Sequence, residues 1–136
     1  MGKTILITGA SSGIGEVCAN FFAQKEWNVV ATTRDPAKSR AFKNAQNVLV
    51  SQLDVQDIAS IEHAVSESVS RFGSIDVLLT NAGYGQYGVF EAVPREKVLE
   101  QFEVNVFGPP PKIPLGRICL RNKAKSLART KLIASE

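Results

Sequence analysis

Short apolar, β-branched runs alternate along the chain with stretches whose apolar residues recur at steps of three and four. Residues 3 to 8, Lys-Thr-Ile-Leu-Ile-Thr, form the first run and end at Gly9. The stretch that follows opens a helix with Ile14, Val17, Cys18, Phe21 and Phe22 on one face. Residues 28 to 33 read as a second strand, stopped by Arg34-Asp35-Pro36, and Pro36 suits the start of a short helix through about Asn44. Residues 48 to 53 make a third strand. Asp57 is placed to cap a long helix built on Ile58, Ile61, Val65, Val69 and Phe72, which Gly73 closes. Residues 76 to 81 form a fourth strand, nearly all apolar, as a strand buried on both faces must be. A glycine-rich loop fills 83 to 88, and from about Pro94 a last helix runs through Val98, Leu99, Phe102 and Val106 to about Gly108. Strands separated by such helices are joined by crossovers, which are right-handed and build parallel sheets. The predicted class is α/β, doubly wound.

Beyond Gly108 this pattern stops. Four of the six prolines fall between Pro109 and Pro114, where neither a helix interior nor a central strand tolerates them. Residues 117 to 120 are too short for a convincing fifth strand, and residues 124 to 134 are at best a basic helix. Charge changes at the same place. Residues 1 to 107 hold nine Lys/Arg against twelve Asp/Glu, a net of −3, whereas residues 108 to 136 hold seven against one, a net of +6. The expected organisation is therefore one domain, residues 1–108, then a proline-rich and basic tail, 109–136, that is disordered or a short helix.

Composition narrows the function classes. A chain of 136 residues, 44% hydrophobic, has room for one modest core. It contains no run of about 18 apolar residues and no signal-peptide core, and Leu6 stands where a myristoylation signal needs Ser or Thr, so a cytoplasmic protein without membrane attachment is expected. Cys18 and Cys119 stand apart without a second ligand at metal-binding spacing, and His63 reads as a surface residue of a helix, so no metal is expected. The tail offers no aromatic side chains for stacking on bases, which argues against nucleic acid as a partner.

The candidate chemistry begins at Thr8-Gly9-Ala10-Ser11-Ser12-Gly13-Ile14-Gly15, where the first strand passes into its helix. Gly9 permits a tight turn, Gly13 lets backbone N–H groups approach a pyrophosphate, and Gly15 lets helix and strand pack closely. The helix N-terminus adds partial positive charge for phosphates. The spacing is Gly-x3-Gly-x-Gly, and no Lys follows as a phosphate-binding P-loop would need. At the end of the second strand an acidic residue would favour NAD, but Thr33-Arg34 stands there instead. A guanidinium pairs with a 2′-phosphate through a forked, charge-assisted contact, which favours NADP; Asp35 next door leaves NAD as the second choice.

Together Thr-Gly-Ala-Ser-Ser-Gly-Ile-Gly at 8 to 15, Leu-Asp-Val at 53 to 55, Asn-Ala-Gly at 81 to 83 and Phe-Glu-Val-Asn-Val-Phe-Gly at 102 to 108 resemble the short-chain dehydrogenase/reductase family, in order and spacing. Asn-Ala-Gly-Tyr-Gly-Gln-Tyr-Gly further resembles the branch of 17β-hydroxysteroid dehydrogenase-like and retinol dehydrogenase-like reductases. The resemblance implies a Rossmann-like sheet in the order 3-2-1-4, continued by further strands that this chain does not supply. It implies that Gly9, Ser11, Ser12, Gly13, Ile14 and Gly15 hold the cofactor phosphates, with Thr33 and Arg34 at the adenosine ribose. Asp54 and Val55 would border the adenine, and Asn81, Ala82 and Gly83 would line the cofactor beside the fourth strand.

The family's reaction is hydride transfer between nicotinamide and a carbonyl or carbinol carbon. A tyrosine serves as general acid/base, a lysine four positions on tunes it, a serine orients the substrate oxygen, and an asparagine supports a relay water. Of these the resemblance assigns only Asn105. Tyr84 and Tyr87 are followed four positions later by Gly88 and Glu91, so no Tyr-x3-Lys exists in the 136 residues. Three classes stay open: an NADP(H)-dependent oxidoreductase acting on small carbonyl or alcohol substrates if a complete site forms, a non-catalytic nucleotide-binding module, and a basic-tailed interaction protein. An open edge at the fourth strand and a bare face on the last helix lead to the expectation of marginal stability or a homo-oligomer.

Overall fold

The computed structural model describes residues 2–38, 42 and 45–107. Strands β1 (Thr4–Ile7), β2 (Asn28–Thr33), β3 (Val48–Gln52) and β4 (Val77–Leu79) form one parallel sheet in the order β3-β2-β1-β4. Helix α1 (Gly13–Gln24) crosses from β1 to β2, and α2 (Ile58–Phe72) crosses from β3 to β4. Helix α3 (Arg95–Phe102) follows β4 and runs into a π-helical turn, Glu103–Phe107.

Alternation within the strands explains why they carry no polar face. Ile5 and Ile7 of β1 pack with Val29, Ala31, Val48 and Leu79 beneath α1, whose Ala19 is fully buried among them. Leu6 points the other way, with Val30 and Leu78, toward Ile61, Ala64 and Val65 of α2. The sheet is thus the middle of three layers, and both of its faces need apolar side chains.

Helix α2 has the ends its sequence predicts. The Asp57 carboxylate accepts from the Ala59 N–H at 3.0 Å, and Gly73, with φ of +85°, donates to the Val69 carbonyl at 2.8 Å. Its buried stripe is rotated from the predicted one: Ile61, Ala64, Val65 and Ser68 face the sheet, whereas Ile58 is 54% exposed. Small residues at 64 and 68 let the helix lie close, and the Ser68 hydroxyl is satisfied by the Ala64 carbonyl.

The predicted face of α1 is divided. Cys18 and Phe22 pack on the core, while Ile14, Val17 and Phe21 are more than half exposed. Leu99, Phe102, Val106 and Phe107 of the last helical segment are about half exposed as well. The chain makes a single 3-10 turn at Pro36–Lys38; of the rest of the helix expected to about Asn44 only Phe42 is described, buried in the core, and the tail from 108 onward lies outside the described residues. Strand β4 is shorter than predicted because side-chain bonds to β1 and its end take over from the backbone ladder at both flanks. Asp76 exchanges bonds with the Thr4 backbone at 2.7 and 2.9 Å, and Asn81 turns to Thr8. Among the described residues no helix is long and apolar enough to cross a membrane.

Ile61 and Ile58 lie on one helix at opposite levels of burial, so truncation separates periodicity from packing. Ile61→Ala should cost about 2–5 kcal/mol, enough to remove a marginal folding transition, whereas Ile58→Ala should cost less than about 1 kcal/mol in urea denaturation.

Candidate functional site

The carboxyl ends of β1 and β4 are sewn together by two side chains. Thr8 Oγ1 accepts from the Asn81 N–H and the Ala82 N–H, both at 3.0 Å. In return Asn81 Nδ2 donates to the Thr8 carbonyl at 3.2 Å and the Gly9 carbonyl at 3.1 Å. Thr8 is fully buried, and its own N–H continues the ladder to the Leu79 carbonyl at 3.0 Å. The turn after β1 is tied to β2 too, through Ala10 N–H to the Thr32 carbonyl at 2.8 Å.

Each glycine of the turn has a visible cause. Gly9 has φ of +68°, and a Cβ there would stand 2.9 Å from Ala82 Cα. Gly13 has φ of +58° with open space where a Cβ would project, at the first position of α1. A Cβ on Gly15 would lie 2.3 Å from the Gly9 carbonyl oxygen and 2.5 Å from Asn81 Nδ2, so α1 is seated directly on the seam. The Ser12 side chain makes no cap bond to the first turn of α1, which leaves helix N–H donors available at that end.

A cleft of about 520 Å³ opens over these strand ends. Of the residues singled out in the sequence, Gly9, Ser11, Ser12, Ile14, Thr33, Arg34, Asp54, Val55, Asn81, Ala82 and Gly83 line it. Gly13 and Gly15 do not line it. Asn105 lies outside the lining and bonds the Tyr84 backbone. The cleft sits where the chain, having built outward through β2 and β3, returns to the other side of β1, the switch point at which open α/β sheets form crevices.

Its rim is organised by local bonds. Asp54 Oδ1 accepts from the Gln56 N–H at 2.9 Å, and the Ser60 hydroxyl accepts from the Asp54 N–H at 2.9 Å, fixing the turn after β3. Gln52 Nε2 donates to the Arg34 carbonyl at 3.2 Å and steadies the exposed Arg34 backbone. Leu53, Gln56, Tyr84 and Val104 also line the cleft, and sequence reasoning gave none of them this place. The signal was in the motifs themselves, since Leu53, Tyr84 and Val104 belong to the stretches that carry the resemblance and Gln56 directly follows one of them. Among the described residues no three His, Cys, Asp or Glu side chains gather as a metal would require.

Gly15→Ala tests how tightly the seam is closed. Helix propensity alone favours alanine by about 1 kcal/mol, but overlap with the Gly9 carbonyl should outweigh it and give a net loss of about 1–3 kcal/mol in thermal or urea unfolding. Gly13→Ala, at an open site, should cost only the left-handed strain of about 1–2 kcal/mol and leave the seam in place.

The comparisons with known proteins agree with this geometry. The family model for short chain dehydrogenases matches residues 3–110. A 3-ketodihydrosphingosine reductase of Bacteroides thetaiotaomicron is 38% identical over 106 residues, covering 78% of this chain and 38% of that protein. Among solved structures, a short-chain dehydrogenase from Streptomyces avermitilis superposes with a TM-score of 0.76 at 31% identity, over 86% of this chain and 44% of that one. A variant of actinorhodin polyketide ketoreductase with NADPH gives 0.73 at 28% identity, with the same coverage. The chain thus spans less than half the length of these proteins. With the family's model matched over most of its residues, and its first four strands in the family's order, this chain belongs to the short-chain dehydrogenase family.

Proposed function

We propose that the chain is an NADP(H)-binding oxidoreductase unit whose reaction class is hydride transfer at a carbonyl or alcohol carbon, and that the 136 residues alone bind the cofactor without turning over substrate. The observation that carries the first half is the place of Arg34. It lines the cleft beside Thr33, at the carboxyl end of β2, with no acidic residue in the position that would favour NAD. NADPH in the polyketide ketoreductase, a protein this chain resembles, supports the same choice.

The residues present fit such a group. Uncapped N–H donors of α1, with Ser11, Ser12, Gly13 and Ile14, would hold the phosphates, and Gly9 and Gly15 keep that surface close to the backbone. Arg34 and Thr33 would hold the 2′-phosphate. Asp54 and Val55 would border the adenine, and Asn81, Ala82 and Gly83 the far half of the cofactor. When bound, the nicotinamide supplies or accepts the hydride. The second half of the proposal rests on the missing tyrosine–lysine pair: Asn105 is the one member of the resembled catalytic set in this sequence, and it is not itself an acid or base. A small carbonyl or alcohol substrate, in the manner of the hydroxysteroid and retinol dehydrogenase-like branch, belongs to a completed site.

The same reading places the chain in the cytoplasm, where isolated thiols stay reduced, and has it self-associate through the exposed apolar stripes of α1 and α3. No metal or nucleic acid enters it.

Thermal unfolding with added cofactor tests the reading. Ligand at about one hundred times Kd stabilises by about 2.7 kcal/mol, so NADPH should raise Tm by several degrees and by more than NADH does. Arg34→Asp should reverse that order. No shift with either cofactor would remove the nucleotide reading, and a larger shift with NADH would remove NADP. Carbonyl-dependent NADPH oxidation by the chain alone should stay at background, and turnover would overturn the binding-only half.

A further inference from the structure

Two side-chain amides from the last helical segment reach the same stretch of loop. Asn105 Oδ1 accepts from the Tyr84 N–H at 3.0 Å while its Nδ2 donates to the Tyr84 carbonyl at 2.8 Å. One turn earlier, Gln101 Oε1 accepts from the Gln86 N–H at 3.2 Å. Tyr84 and Gln86 are two residues apart, the spacing at which an extended backbone presents its N–H groups along one edge. Residues 101 and 105 are four apart, the spacing at which a helix presents side chains on one face. The two periodicities meet, and the helix serves the loop as a neighbouring strand would.

Two further observations tie this contact to the cleft. Tyr84 and Gly83 line it from the loop, and Val104, the residue before Asn105, lines it from the helical segment while packing on the α2 side of the core. A Cβ on Gly83 would stand 3.0 Å from Asn105 Oδ1, so a side chain there would press the carboxamide away from Tyr84. Asn105 lies in the π-helical turn Glu103–Phe107, and such turns are frequent at functional sites.

We propose that Gln101 and Asn105 are positioning residues: they form a two-point clasp that holds the loop of residues 83–88 as the wall of the cleft, and so set its affinity for the dinucleotide. Neither side chain touches the cleft itself; both act through the Tyr84 and Gln86 backbone. The role in binding rests on the nucleotide reading above, but the clasp is measurable without any ligand.

The test is amide hydrogen exchange of the full chain by NMR, paired with NADPH titration. Asn105→Ala should speed exchange at Tyr84 by about three- to tenfold, the range that loss of a hydrogen bond of ordinary net strength allows, and Gln101→Ala should do the same at Gln86. Exchange in β1 and β2 should stay unchanged. The conservative variants separate the atoms: Gln101→Glu keeps the acceptor and should keep Gln86 protected, whereas Asn105→Asp keeps only one of two bonds and should fall between parent and alanine. NADPH affinity should weaken about three- to tenfold in each alanine variant and recover in Gln101→Glu. Unchanged exchange at Tyr84 and Gln86 would overturn the clasp. Faster exchange with unchanged NADPH affinity would overturn its role in binding. A parent chain that binds no dinucleotide would instead overturn the functional reading, and the exchange data alone would then decide whether the clasp exists.

Discussion

The structure depends on the reciprocal bonding of Thr8 and Asn81. Parallel strands pair through evenly spaced backbone bonds, but where β1 and β4 end that ladder must stop without leaving buried N–H and C=O groups unpaired. Thr8 Oγ1 takes the two N–H groups of Asn81 and Ala82, and the Asn81 amide covers the carbonyls of Thr8 and Gly9. Each group left bare in a buried setting would cost about 1–3 kcal/mol, a large fraction of the stability of any small domain. The seam therefore sets where the strands end, and the cleft begins at that point.

Helix α1 extends the seam into the wall of the cleft. Gly15 is pressed on the Gly9 carbonyl and the Asn81 amide, closer than any side chain permits, so the helix N-terminus is held against the strand ends. That contact brings uncapped N–H donors to the same opening as Arg34 from the turn after β2, Asp54 from the turn after β3 and Gly83 from the loop after β4. Four elements meet over the seam. The last helical segment joins them through bonds to Tyr84 and Gln86 and through Val104, which lines the cleft and packs on the core, although α3 itself buries no residue.

Sequence made the sheet legible because its signals were local. Apolar runs, the Asp57 cap and the Gly73 stop were each written within a few residues; the parallel pairing followed from the crossovers, and the strand order from the family resemblance. Motif residues were legible too, and most of them line the cleft. What the sequence hid depends on distant partners. Ile14, Val17, Phe21 and Ile58 fit their helical stripes but are exposed, because periodicity shows which residues share a face and not whether another layer covers it. The length of β4 was overstated because Asn81 is drawn to Thr8, 73 positions away. Tyr84 stood out in sequence as part of the 81–88 resemblance and as a tyrosine without its lysine; its place in the cleft wall depends on a side chain 21 residues further along.

If the seam is what builds the cleft, removing one hydroxyl should damage folding and binding together. The direct measurement is an NADPH titration of Thr8→Val beside the parent chain, with urea unfolding of both. Valine keeps the shape of threonine and removes the acceptor of two backbone N–H groups, so stability should fall by about 2–4 kcal/mol and NADPH affinity should drop at least about tenfold. Equal stability and equal affinity in the two proteins would contradict the seam as the origin of the site.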